Sequence, residues 1–146
     1  MDKWDYLREL QRSFAFDLSI GDDGAALTNR GTGGRIEIFE DSFGDGESLY
    51  TEYIVSFSTQ HRHFEDPDDV EDYVRRILND EVLPIEFYYH GERRFGSEIG
   101  KDDYRRLSPE FPAGFFGYPA EYLSQFEYEI HSWSGKYDTD RRSPEE

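Results

Sequence analysis

Two histidines and a set of strand carboxylates are the residues here whose types and spacing suit chemistry. His61 and His63 flank Arg62, and residues two apart in an extended strand point to the same side. Both imidazoles could then ligate one metal ion, with Glu65 or Asp66 as the third ligand. A third ligand so close in sequence requires a sharp bend. The alternative is a strand end whose histidines hydrogen-bond near the cap of the next helix. The carboxylates are Glu37, Glu52, Glu86, Glu127 and Glu129, each in an expected strand and opposite its main apolar residues. Paired in a cleft, two carboxylates divide the roles of acid and base. On a solvated sheet face they would instead take arginine partners such as Arg35 or Arg93. Nucleophile and phosphate motifs are missing. No Gly-x-Ser-x-Gly elbow occurs, Gly31-Thr32-Gly33-Gly34 lacks the lysine of a phosphate loop, and the aspartates of Asp41 to Ser48 do not have EF-hand spacing. The expectation is a protein that is not an enzyme and needs no cofactor.

Charge gives a different candidate. The 146 residues hold 33 Asp and Glu against 16 Lys and Arg, a formal net charge of −17. Twelve acidic and three basic residues lie between Gly21 and Val70, whereas Gly91 to Ala120 is balanced. Glu37, Glu40, Asp41, Asp45, Glu47 and Glu52 fall on two expected strands and the loop joining them, accompanied by Phe39, Phe43, Tyr50 and Phe64. Carboxylates steer a basic protein into encounter and aromatics anchor it. The partner-binding residues expected are therefore Glu37, Glu40, Asp41, Phe43, Asp45, Glu47, Tyr50 and Glu52. The alternative is a solubilising or salt-adapted surface with its aromatics in the core. A second aromatic stretch, Phe111, Phe115, Phe116 and Tyr118, reads as core cover or a contact patch.

The same charge argues against direct nucleic-acid binding and against docking on an anionic membrane. Cysteine is absent, which excludes disulfides and thiolate chemistry. The longest uncharged stretch, Phe111 to Ala120, is far short of the ~20 residues that span a bilayer. No apolar signal segment follows Asp2, Lys3, Trp4 and Asp5, so a cytoplasmic place is expected.

The elements that must position these residues are legible as patterns. A first helix is expected from Asp2 to Ser13, then a strand from Phe14 to Ile20, a turn at Gly21-Asp22-Asp23-Gly24, and a returning strand from Ala25 to Thr28. Arg35 to Glu40 alternates Ile36 and Ile38 against Glu37 and Phe39. Leu49 to Ser58 sets Leu49, Thr51, Tyr53, Val55 and Phe57 against Tyr50, Glu52, Ile54, Ser56 and Ser58. A second helix is capped by Asp66, opened by Pro67 and buried through Val70, Tyr73, Val74, Ile77 and Leu78. Ile85, Phe87 and Tyr89 start a hairpin that turns at His90-Gly91-Glu92 and returns to Ile99. A short helix from Ala120 to Phe126 precedes a last strand with Phe126, Tyr128 and Ile130 on one side. The expectation is an α+β fold, a mainly antiparallel sheet of five to seven strands with two or three helices on one face. One globular domain spans 1–135, with a frayed polar tail over 136–146.

In size, acidity, lack of cysteine and lack of a catalytic motif, the chain resembles small bacterial immunity and inhibitor proteins. The resemblance implies a basic protein partner, such as a nuclease-type toxin whose cationic cleft is occluded. Two other classes stand beside it. One is a metal-binding or carboxylate-dependent enzyme using His61, His63 and Glu65 or the strand carboxylates. The other is a small-ligand-binding or structural domain with aromatics lining a curved sheet.

Overall fold

Residues 3–44, 50–107 and 118–140 are described in a computed structural model of the chain. Its class is α+β with antiparallel sheets, as the alternation of apolar residues implies. The strands divide between two sheets rather than forming one. In the first, β1 (Asp17–Ile20), β2 (Gly24–Thr28), β3 (Arg35–Phe43), β4 (Tyr50–Phe57) and β5 (Gln60–Phe64) lie side by side in chain order. The second has the order β7-β6-β8-β9, from β6 (Leu83–Tyr89), β7 (Glu92–Ile99), β8 (Glu127–Ile130) and β9 (Thr139–Asp140). Four helices are described: α1 (Asp5–Leu10), α2 (Pro67–Leu78), α3 (Lys101–Arg106) and α4 (Ala120–Leu123).

Local chemistry accounts for the sharpest boundaries. The Asp66 carboxylate accepts the Asp68 amide at 2.9 Å, Pro67 opens α2, and Asp68 and Asp69 meet the positive end of its dipole. Val70, Tyr73, Val74, Ile77 and Leu78 are buried, and Glu71 pairs with Arg75 at 3.3 Å on the outer side. His90 and Gly91 have φ of 51° and 82°, which makes a two-residue turn whose twist suits the β6–β7 hairpin. At Ser58 φ is 57°, so the strand ends there and reverses. His61 and His63 belong to β5, antiparallel to β4, and not to a prolonged β4. The first helix is shorter than its pattern, and β1 begins at Asp17 rather than Phe14.

Each sheet has one apolar side. Leu27, Ile36, Ile38, Val55 and Phe57 face Leu7 and Leu10 of α1 and the buried side of α2. Ile85, Phe87, Ile99, Tyr128 and Ile130 form a second cluster with Leu123. Burial of each such side chain is worth roughly 1.5–3 kcal/mol.

Polar contacts join the halves. Gln60 Nε2 donates to Glu86 Oε1 at 2.9 Å, Arg62 lies 3.7 Å from Glu98, and the Tyr73 hydroxyl donates to Glu98. Asp80 accepts the Ser134 amide at 3.0 Å and its hydroxyl at 2.5 Å. The chain after β8 also returns to the first sheet. Trp133 joins the first apolar cluster beside Phe57, and its carbonyl accepts from Asn29 at 2.7 Å and Thr32 at 3.2 Å. Lys136 to Asp140, expected to begin a frayed tail, instead hold β9 and an Asp138 carboxylate that accepts the Ser132 amide at 2.7 Å. Residues 141–146 lie outside the described residues.

Candidate functional site

The side of the first sheet turned away from the helices is set by register. Residues directly opposite each other share a face, so Ser19, Ala26, Glu37, Ser56 and His61 form one row across it. The next row is Gly24, Phe39, Ile54 and His63. Beyond these, β3 and β4 continue alone among the described strands. Asp41 opposes Glu52 and Phe43 opposes Tyr50, past the last β2 partner of β3 and the last β5 partner of β4. This two-stranded arm carries aromatic rings at its tip, 36 % and 57 % exposed with centroids 5.5 Å apart. Carboxylates stand one row behind, about 6.8 Å along the strands. Phe39, a row further in, is also exposed.

Five of the eight residues expected to meet a partner are thus on one face: Glu37, Asp41, Phe43, Tyr50 and Glu52. Glu40 is on the other side, where alternation with Ile36 and Ile38 places it. It is half-buried and pairs with Lys3 at 2.8 Å. Asp45 and Glu47 lie outside the described residues, as do Phe111, Phe115 and Phe116. Phe64 packs on the helix side against Tyr73.

The arm end of the sheet concentrates negative charge beyond these residues. The Lys3 ammonium is held above its ordinary pKa first by its hydrogen bond to Glu40, then by the fields of Glu40 and Asp23. Burial raises the Tyr53 hydroxyl pKa, and Glu40 and Asp66 add to the rise. Tyr6 is raised by burial and then by Glu71. Asp23, Glu40, Asp66 and Glu71 therefore act on one neighbourhood, with the acidic first turn of α2 beside it. The sequence signal for this grouping was the carboxylate run from Glu65 to Asp72, which helix capping alone does not require.

At the opposite end, the β2–β3 and β4–β5 turns meet the chain after β8 around a cavity of about 490 Å³. Thr32, Ser56, Ser58, His131 and Asp138 are among its lining, with Arg35 and Glu37. A smaller hollow of about 170 Å³ lies toward the arm, lined by Ser19, Gly24, Ala26 and Phe39, and again by Arg35 and Glu37. The Arg35–Glu37 ion pair, 2.6 Å long, is shared by both linings.

His61 and His63 share the outward face with ring centroids 5.4 Å apart, and His63 Nδ1 lies 2.5 Å from Glu52 Oε1. Among the described residues no three His, Asp or Glu side chains converge as a metal site. The strand carboxylates do not gather on one face either. Glu37 and Glu52 are in the first sheet, while Glu86, Glu127 and Glu129 are in the second. Glu86 is fully buried, held by Gln60 and Arg93, and opposed by Glu129. Gly96 is its neighbour on β7. A Cβ there would crowd Gln60 Nε2 and come within 2.8 Å of the Glu86 carboxylate, so any larger residue at 96 would displace these two side-chain ends. No described helix is long and apolar enough to cross a membrane.

Compared with protein-family models, curated proteins and solved structures, the chain matches none of them.

Proposed function

We propose that this chain is an acidic binding protein that neutralises or regulates a basic protein partner in the cytoplasm, as immunity and inhibitor proteins do. The observation that carries the reading is the arm, on which the exposed Phe43–Tyr50 pair stands one row in front of Asp41 and Glu52. Aromatics at the centre of a contact supply affinity, and surrounding carboxylates accelerate encounter. The acidic residues around Lys3 extend the field behind the arm. A nuclease-type toxin has the charge this surface would meet.

The test is capture of partners from the source lysate at low and high salt, followed by kinetics with the captured protein. A basic protein retained at low salt and released at high salt is expected. Phe43→Ala with Tyr50→Ala should weaken its binding by about 30-fold or more, the weight of one or two anchor residues. Asp41→Lys with Glu52→Lys should slow association and flatten its salt dependence. Unchanged binding in both double variants would sink the reading.

The cavity of about 490 Å³ favours a second reading, a small polar ligand held between Arg35, His131 and the Ser56 and Ser58 hydroxyls. A metabolite that raises the melting temperature of the wild type, but not of His131→Ala, would select it.

A further inference from the structure

We infer that the Arg35–Glu37 pair is a self-occupied guanidinium site, which an arginine side chain of the partner takes over by displacing Arg35. The inference rests on the basic-partner reading and names the group recognised. Glu37 stands mid-row on the outward face, and toward β1 the face drops away because its residues are small. Ser19, Gly24 and Ala26 leave a shallow socket of about 170 Å³, open to solvent and bordered by Phe39, Glu37 and Arg35. At ~30 Å³ per water that is room for roughly six waters, the scale of one long side chain. A Cβ on Gly24 would meet the Ile38 carbonyl oxygen at 2.8 Å, so β2 approaches β3 this closely only with glycine at that position.

The socket is apolar along Phe39 and Ala26 and anionic at Glu37. A lysine or arginine has the matching profile, with a stem that buries and a charged head that does not. Two features favour the guanidinium. The Phe39 ring offers a stacking face, and the carboxylate already takes a guanidinium through the Arg35 Nε. The resident arginine is weakly held. Its side chain is 55 % exposed, and an exposed pair of this kind adds little to stability. Once displaced, Arg35 can turn over the larger cavity it also lines, among the Ser56 and Ser58 hydroxyls. An incoming arginine covered by the partner would hold Glu37 away from water, where the same pair is stronger.

The test is a nuclear magnetic resonance titration of the full chain with the blocked peptide Ac-Gly-Arg-Gly-NH2 and its lysine counterpart. Saturable shifts are expected at the Gly24, Ala26 and Phe39 amides and the Arg35 Nε–H, with the arginine peptide binding more tightly. Arg35→Gln should tighten binding about fivefold, the weight of a surface ion pair. Glu37→Gln and Ala26→Leu should each abolish the socket shifts. Should Ala26→Leu fail to fold, the exposed Glu37→Gln change carries the test. Arg30→Gln is the control for charge alone. It removes the same charge from an exposed pair with Asp17 on the same sheet, and should change affinity by less than about twofold. Equal tightening by Arg30→Gln and Arg35→Gln overturns the inference, as does the absence of saturable shifts at the socket. Shifts confined to Asp41, Phe43, Tyr50 and Glu52 overturn the socket and leave the basic-partner reading standing, which lysate capture judges separately.

Discussion

Each sheet carries an Arg–Glu pair on the side turned away from its apolar cluster. In Arg35–Glu37 the side chains are 55 % and 38 % exposed; in Arg93–Glu86 they are 48 % and 1 %. The chemistry is the same and the surroundings differ. The first pair stands on an open face, beside two hollows. The second is closed over by the edge of the other sheet, where Gln60 reaches the carboxylate across the space that Gly96 leaves. Water can replace Arg35 at Glu37, and nothing comparable can replace Arg93 at Glu86. An exposed pair is therefore free to be traded for a partner's group, while a buried one is committed to the fold.

The largest test of this contrast removes each arginine. Arg93→Ala leaves a buried carboxylate with one amide donor. Breaking a buried pair costs ~3–5 kcal/mol, and the half-exposed Arg93 places the expected loss near the lower end. Arg35→Ala should cost less than about 0.5 kcal/mol. Urea denaturation of both variants measures the difference, and equal losses would break the comparison. Adding Glu86→Gln to Arg93→Ala should recover part of the loss, because a neutral amide has no buried charge to leave unpaired.

Why the two pairs differ was only partly written in the sequence. Period-two alternation correctly gave the two sides of β3 and β4, and helix signals gave α2 from its Asp66 cap, with an end expected near Asp80 and found at Leu78. The same alternation placed Glu40 with Ile36 and Ile38, so its separation from the outward acids was legible, although composition grouped it with them. Arg35 and Arg93 were readable as carboxylate partners. The burial of Glu86 was not, because alternation reports only which side a residue takes. What covers that side is a long-range event, the meeting of β5 with the second sheet. The socket had a similar fate. Ala26 and Gly24 are unremarkable in a strand until register sets them beside Glu37 and Phe39. Trp133, which ties the chain after β8 to the first cluster, offered no local pattern at all.

A middle-sized effect probes the same seam through pH. Burial, and then the hydrogen bond to Glu98, raises the Tyr73 hydroxyl above its ordinary value of 10.0. A raised folded-state pKa means the folded protein keeps a proton that the unfolded chain releases. Its contribution is fully present below pH 10 and is lost as pH climbs above it, by up to ~1.4 kcal/mol per unit. Tyr73→Phe should flatten the fall in stability between pH 10 and 11.5, with the share from the half-buried Tyr6 remaining. Parallel curves for wild type and variant would mean that the seam opens before Tyr73 ionises.

The smallest expected effect is the most discriminating. Glu37→Gln keeps the shape of the side chain, removes one charge from an exposed pair, and should alter unfolding free energy by less than about 0.5 kcal/mol. Denaturation at low and at physiological salt checks this, since an exposed pair is screened and a committed one is not. A loss above 1 kcal/mol, insensitive to salt, would place Glu37 with Glu86 as a fold-holding carboxylate. Negligible loss leaves the charge at Glu37 without a structural task. A carboxylate that the fold does not need, facing a socket lined by Gly24 and Ala26, is then available to whatever cation reaches that face.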